Sequence, residues 1–361
     1  MSKRESWLDK DPKKIIIRMP NWLGDLVMAT PLIKDLRKHF PKTHITAMCQ
    51  SNVAPLIKED PDIDEILSFT KKSGWIHGNH QSIVKALRFG GYDLGILTTN
   101  SFSSAWWFWR GSVKYRMGYA ANFRSLLMNK AIPFPKDKEI QHQVITYKML
   151  LTCLGISVSE TPQNLVVTEE ELELSKQTLL KYGAKVGENV IVGINPGAAY
   201  GSAKCWLPDR FAHVTTRLLK NPQLRIVYFG DQNTVPLVKD ICENLPESVI
   251  NLAGKTNIRE LMAHIANCSA MLSNDSGPMH IAAALKTPLV AIFGSTNDVK
   301  TGPYDHGTVI HKHVACSPCY QRVCPIDFKC MTQIEVDEVC REILKLIDEV
   351  EVVQSNKLHV L

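Results

Sequence analysis

The chain has 361 residues, of which 45% are hydrophobic, with a formal net charge of +6 and ten cysteines. That size and apolar content suffice for more than one core, and length alone favours two domains. No run of about 18 apolar residues occurs, which excludes a membrane-spanning helix. The mild basic excess permits a phosphate-bearing partner or an anionic membrane surface without requiring either. The first dozen residues, MSKRESWLDKDP, carry no apolar signal region, so reduced thiols in a cytoplasm are expected rather than a disulfide framework.

In chain order, Lys13 to Arg18 reads as an isoleucine-rich strand. It runs through Pro20-Asn21-Trp22-Leu23-Gly24-Asp25 into a helical pattern over Leu26–Leu36. Ile45–Cys49 and Glu65–Phe69 read as strands, Ala54–Ile57 as a short helix, Ser82–Phe89 as a helix and Tyr92–Thr98 as another strand. Strand and helix alternate without hairpin signals, so a parallel sheet is expected. From Ser101 to Arg124 the character changes. Phe102, Trp106, Trp107, Phe108 and Trp109 crowd together, and Arg110, Lys114, Arg116 and Arg124 follow. Aromatics beside basic residues suit a phosphorylated lipid at a membrane face; a core helix followed by a solvated basic loop would look the same. His142–Leu154 is an amphipathic helix closed by Gly155.

A charged helix over Thr168–Tyr182 reads as the connection to a second α/β series. There Val190–Ile194 and Arg225–Phe229 are strands, while Asp209–Leu219, Val235–Glu243 and Ile258–Asn267 are helices. Met271–Gly294 (MLSNDSGPMHIAAALKTPLVAIFG) reads as strand end, polar turn, helix and strand. Asn274, Asp275 and Ser276 are helix-capping types, Gly277 tolerates positive φ, and Pro278 suits the first helical position. Such a turn is either a well-capped helix or an anion site on backbone N–H groups and the helix dipole. Glu335–Val352 is a last amphipathic helix. Two α/β units imply a cleft between them.

Candidate chemistry gathers at a few positions. Asp25, at the start of the first helix, is either a helix-terminal carboxylate or a general base. Asn195-Pro196-Gly197 and the turn at Tyr200-Gly201 precede Lys204, which is either a surface lysine or a point charge for a diphosphate. Neither G-x-G-x-x-G after the first strand nor a P-loop pattern is present, which argues against a nicotinamide fingerprint. Cys316, Cys319, Cys324 and Cys330 share one proline-bearing loop. Four thiols so close suit a structural Zn²⁺; their spacing matches neither common iron–sulfur pattern, and free thiols are the alternative.

Taken together, these stretches resemble glycosyltransferase family 9, and within it the lipopolysaccharide heptosyltransferases. The resemblance rests on IIIRMPNWLGDLVMATPLI, LTTNSFSSAWWF, HQVITYKMLLTCLGI, NPGAAYGSAKCWLPDRF, NDSGPMHIAAALKTPLVAIFGST and CSPCYQRVCPIDFKCM, and covers nearly the whole chain. It implies an α/β fold of the GT-B type, two Rossmann-like domains whose parallel sheets face a central cleft. The expected division is an acceptor-binding domain over 1–165, a nucleotide-sugar domain over 166–335, and a helix and tail over 336–361. It further implies inverting transfer of L-glycero-D-manno-heptose from ADP-heptose to a lipid A–Kdo inner core already carrying one heptose. No cofactor would be needed for catalysis. The enzyme would be cytoplasmic and peripheral at the inner membrane face, with no nucleic acid partner. Asp25 matches the family's catalytic base and Lys204 its diphosphate lysine, while Asp275, Ser276, Gly277 and His280 match its donor loop. Asn195, Gly197 and Tyr200 are further donor candidates; Arg110, Lys114, Arg116 and Arg124 are candidates for acceptor phosphates or anionic lipid. Ala199 and Tyr200 replace the paired threonines of the enzyme that adds the first heptose, and the adenosine contacts are not matched around Gly230-Asp231-Gln232. The alternatives are that first-heptose enzyme or another family member, a sugar-nucleotide 2-epimerase, and a non-catalytic membrane-binding module.

Overall fold

The computed structural model describes residues 11–70 and 80–358. The start of the polar leader, residues 1–10, and the last three residues of the tail lie outside the described residues. The chain forms two compact units, Met1–Leu165 and Val166–Leu361.

The first unit holds β1 (Lys14–Arg18), α1 (Leu23–His39), β2 (His44–Gln50), β3 (Glu65–Phe69), α2 (His80–Gly90), β4 (Leu94–Leu97), α3 (Phe102–Arg110), β5 (Tyr115–Tyr119), β6 (Lys130–Ile132) and α4 (Gln143–Met149). Its six strands are parallel, in the order β3-β2-β1-β4-β5-β6. Ile15, Ile16 and Ile17 of β1 are all fully buried, because a central parallel strand is covered on both faces. The second unit holds α5 (Glu169–Lys181), β7 (Val190–Asn195), α6 (Pro208–Leu218), β8 (Leu224–Tyr228), α7 (Val235–Cys242), β9 (Ile250–Asn251), α8 (Ile258–Ala266), β10 (Ala270–Asn274), α9 (Gly277–Ala284), β11 (Leu289–Phe293), α10 (Asp298–Thr301), β12 (Thr308–His311), α11 (Lys329–Thr332) and α12 (Val336–Leu358). Its order, β12-β11-β10-β7-β8-β9, repeats that of the first. In each sheet the chain reverses direction beside the first strand, between β1 and β4 and between β7 and β10. Ligands of such sheets bind beyond the carboxyl ends of those strands.

One local expectation is corrected. The basic stretch after α3 is not a solvated loop: Tyr115–Tyr119 pairs in parallel with β4 as a sheet strand. The charged helix α5, read as the connection to the second series, stands at the start of the second unit. It packs on α8, with Glu171 bonded to Arg259 and Ser175 Oγ 2.8 Å from His264 Nδ1. The expected helix over His142–Leu154 is α-helical to Met149 and 3-10 over Leu150–Leu154, ending at Gly155 with φ +80°. The last helix, α12, lies against α6, β10 and β11 as part of the second unit. No helix among the described residues is long and apolar enough to cross a membrane.

Candidate active site

β7 ends at Asn195 and β10 at Asn274, side by side at the second sheet's reversal point. Both amides are spent on the loops that follow. Asn274 accepts from Trp206 N at 3.1 Å and donates to Pro196 O at 2.6 Å. Asn195 Nδ2 donates to Gly197 O and to Ser276 Oγ, each at 3.0 Å. Gly197 is required by close approach: a Cβ there would stand 2.7 Å from the Thr234 side chain.

Ser276 is the residue before α9, yet its side chain makes no capping bond. Its hydroxyl turns to Asn195 and to Ser273 Oγ, 3.1 Å away. The helix is therefore not closed by its own cap, which is what an anion site at a helix start requires. Pro278 sits in its first turn, and Gly277 does not use positive φ. His280 is buried within α9.

Lys204 ends a 3-10 turn over Ser202–Lys204, and its Nζ lies 2.5 Å from Asp275 Oδ2. Thr296 donates to the same carboxylate oxygen at 2.5 Å. Asp275 is 4% exposed and Lys204 15%, so the ammonium keeps a path to solvent while its counter-ion is sealed. Tyr200 lies beneath two cations, with Lys204 Nζ 5.1 Å and the Arg322 guanidinium 5.4 Å from its ring. Its hydroxyl donates to Tyr320 O at 2.7 Å. The cysteine loop is thus tied to this turn, and Gly201 at φ +155° leaves room for Arg322 O, which a Cβ would meet at 2.3 Å. The structure brings Asn195, Gly197, Tyr200, Lys204, Asp275 and Ser276 together. Thr296 and Arg322 were not among the sequence candidates, although each stands within a stretch that carries the family resemblance.

In the first unit, Arg18 at the end of β1 is buried, 4.8 Å from the Phe69 ring. Its guanidinium donates to Met19 O and to Asn21 Oδ1, fixing the turn into α1. Burial lowers its pKa to about 10, which leaves it charged at neutral pH. Asp25 lies in the first turn of α1, half-buried, where the helix dipole favours a carboxylate. Tyr147 of α4 donates to its Oδ1 at 3.4 Å. Burial, the Asp25 charge and the hydrogen bond to it hold the Tyr147 hydroxyl well above its usual pKa, so it stays a donor.

The four basic candidates part company. Arg124 is fully buried, donating to Tyr119 O, Thr99 O and Asn100 Oδ1. Those bonds commit it to the loops, and it is withdrawn from the acceptor set. Arg116 is half-buried and donates to Leu127 O and Val113 O. Arg110 and Lys114 are exposed, Lys114 beside Asp93 and Arg110 beside the Trp109 ring. The aromatics divide likewise: Trp107 and Phe108 are core, while Phe102 and Trp109 are exposed.

All ten cysteines are free thiols. Cys330 is buried, Cys324 half-buried, and Cys316 and Cys319 exposed. Burial, reinforced by the other three thiols, pushes Cys330 up to about 11. The four are electrostatic neighbours but not at ligand spacing. Among the described residues, only Asp298, His311 and His313 form a group whose ligand atoms all lie within 4.8 Å of one another.

The sequence profile of glycosyltransferase family 9 (heptosyltransferase) matches residues 80–329. The chain is 31% identical over 339 residues to a lipooligosaccharide heptosyltransferase 2 of Campylobacter jejuni, covering 92% of this chain and 99% of that protein. The solved ADP-heptose lipopolysaccharide heptosyltransferase II of Escherichia coli superposes with TM-score 0.79 at 25% identity, over 94% of this chain and 99% of that one. The iron-containing dodecameric glycosyltransferase TibC of enterotoxigenic E. coli shares the fold at TM-score 0.58 and 16% identity, over 94% and 78%. With two six-stranded parallel sheets and the family profile matched over residues 80–329, the chain belongs to glycosyltransferase family 9, the heptosyltransferases.

Proposed function

We propose that the protein transfers L-glycero-D-manno-heptose from ADP-heptose, with inversion, to a lipid A–Kdo inner core already carrying one heptose. The observation that carries this is the Lys204–Asp275 pair at the uncapped start of α9, which holds a cation where a diphosphate would dock. Lys204 has three N–H donors; one meets Asp275, leaving others for phosphate oxygens. Asp25 removes the proton of the acceptor hydroxyl as its oxygen bonds to the anomeric carbon. The bond from that carbon to the diphosphate breaks on the opposite face, and ADP leaves with the electron pair. Lys204 and the α9 start meet its charge. The sugar passes through an oxocarbenium-like state, as in glycoside chemistry generally.

Exposed Arg110 and Lys114, together with half-buried Arg116, take acceptor phosphates or anionic lipid, with the protein working at the inner face of the cytoplasmic membrane. Cys316, Cys319, Cys324 and Cys330 offer a donor set suited to a structural zinc or iron, provided the loop draws the thiols closer. Metal analysis of the purified protein checks that point: absence of both metals removes it.

ADP release from ADP-heptose, measured with and without acceptor, tests the function. Release that requires the heptose-bearing acceptor supports it. Release with heptose-free Kdo–lipid A alone assigns the chain to the preceding transfer. Consumption of donor without acceptor points to an epimerase, and vesicle binding without any ADP release to a binding module.

A further inference from the structure

Outside the proposed donor site, one further cluster of ligating side chains stands among the described residues. β12 pairs in parallel with β11, placing His311 beside Phe293 at the end of both strands. The loop after β11 leads to Asp298, the first residue of α10. His313 takes a left-handed backbone, φ 44°, and its ring lies over that of His311 with centroids 4.0 Å apart. Asp298 Oδ1 is 3.0 Å from His311 Nδ1, and Asp298 Oδ2 is 3.6 Å from His313 Nε2.

The proton count at His311 is constrained by Ser317. The single hydroxyl proton of Ser317 goes to Gly294 O at 2.5 Å, because a carbonyl only accepts. Ser317 Oγ, 2.9 Å from His311 Nε2, must then accept, and Nε2 is the protonated nitrogen. The lone pair of a neutral His311 is thereby placed on Nδ1, aimed at the Asp298 carboxylate. Two electron-rich atoms 3.0 Å apart require a cation between them: a second proton on the ring or a metal ion.

We infer that Asp298, His311 and His313 form a site for a divalent transition cation of the zinc class, bound through the Asp298 carboxylate, His311 Nδ1 and His313 Nε2. Ligands about 2.1 Å from one tetrahedral ion stand about 3.4 Å apart; here each histidine lies 3.0 or 3.6 Å from one of the two Asp298 carboxylate oxygens, and one ligand atom from each of the three residues lies within 4.8 Å of the others. Two imidazoles and one carboxylate suit zinc, cobalt or nickel and leave a coordination position open. Ser317 supplies the outer hydrogen bond that fixes the tautomer of a ligating histidine. His313, 65% exposed, gives the ion a way in. Asp298 lies two residues after Thr296, the partner of Asp275, so an ion here braces the edge of the donor loop.

The test is a Co²⁺ titration of the full-length protein followed by its visible spectrum, which separates this site from the cysteine loop. One equivalent should bind without a thiolate-to-cobalt charge-transfer band, and the signal should survive Cys316→Ser with Cys319→Ser. His313→Ala, at an exposed ring, should weaken binding by at least about 100-fold, and Ser317→Ala by about 10- to 100-fold. Identical titrations of wild type, His313→Ala and Asp298→Asn would overturn the site and leave His311 and Asp298 as an ion pair. So would a cobalt signal abolished by the cysteine substitutions.

Discussion

Lys204 and Asp25 carry opposite charges and opposite consequences when removed. Lys204→Ala takes away the partner of a carboxylate that is 4% exposed, leaving Asp275, among the described residues, the Thr296 hydroxyl. Uncompensated buried charge is costly, so the variant should lose both thermal stability and ADP affinity, the latter by about 10- to 100-fold by calorimetry. Unchanged affinity would remove Lys204 from the diphosphate site. Asp25→Asn is nearly isosteric and should leave ADP affinity within about twofold while turnover falls about 10²- to 10⁴-fold. Near-normal turnover would exclude Asp25 as the base. Tyr147→Phe tests the same carboxylate more gently. A donor bonded to the charged form favours it, so losing the Tyr147 hydroxyl raises the pH needed to ionise Asp25. The acid limb of kcat/KM should move to higher pH with little change at the plateau; an unmoved limb would make Tyr147 a packing residue. At this scale legibility follows sequence distance. All of these residues stand within motifs, but Tyr147 lies 122 residues from its partner and Thr296 lies 21 from Asp275. A motif marks the residues without announcing which of them pair.

Helix α5 shows what a charge pattern conveys at the scale of an element and what it hides. Thr168 and Glu171 form a full capping box, the Thr168 side chain accepting from Glu171 N at 3.2 Å and Glu171 from Thr168 N at 2.9 Å. Thr168→Ala should cost about 1 kcal/mol in chemical denaturation, and no loss would mean the box is replaced by solvent. Glu171 also binds Arg259, and that bond is the main reason its carboxyl stays below the usual glutamate range. A depressed folded value stabilises the fold above the unfolded value near 4.5 and loses that contribution as pH falls through the lower folded one. The stability gap between wild type and Glu171→Gln should therefore be full at neutral pH and close below pH 4.5; a gap constant down to pH 3 would refute the linkage. The sequence showed α5 as a charged helix leading into the second series, and its charge pattern hid the buried face that carries Ser175 and Leu179. Long elements with strong periodicity were legible. β5, β6 and β9 were not, being five, three and two residues long, and β5 reads YRMGY, too polar to stand out.

At the scale of the whole molecule, the proposed lipid-anchored acceptor would have to be met at a membrane face, and no helix among the described residues is long and apolar enough to cross one. The first unit carries the candidates for that contact. On α3, Phe102 and Trp109 are exposed, and the 3-10 turn over Arg124–Leu127 packs on the same helix. Beside and within that turn, Phe123 is 95% and Leu126 96% exposed. Phe123 adopts a left-handed backbone, φ 58°, an unfavourable choice for a bulky side chain that no burial offsets. Arg110 and Lys114 add positive charge nearby in sequence, with Arg110 5.7 Å from the Trp109 ring. Buried Arg124 has the complementary task of fastening this turn to the end of β4 through Thr99 and Asn100. Binding to anionic vesicles should therefore combine two contributions that respond to different changes. Phe123→Ser with Leu126→Ser should reduce partitioning by at least about tenfold, since each side chain gains on the order of 1.5 kcal/mol or more on full burial. The salt dependence should remain. Arg110→Ala with Lys114→Ala should instead flatten the salt dependence, each basic residue being worth about 1 kcal/mol near an anionic surface. Sedimentation with vesicles of mixed anionic and zwitterionic lipid reads both. If neither pair changes binding, the membrane face lies elsewhere on the molecule. If only the charge pair matters, the exposed aromatics serve the acceptor saccharide and the bilayer is held by electrostatics alone.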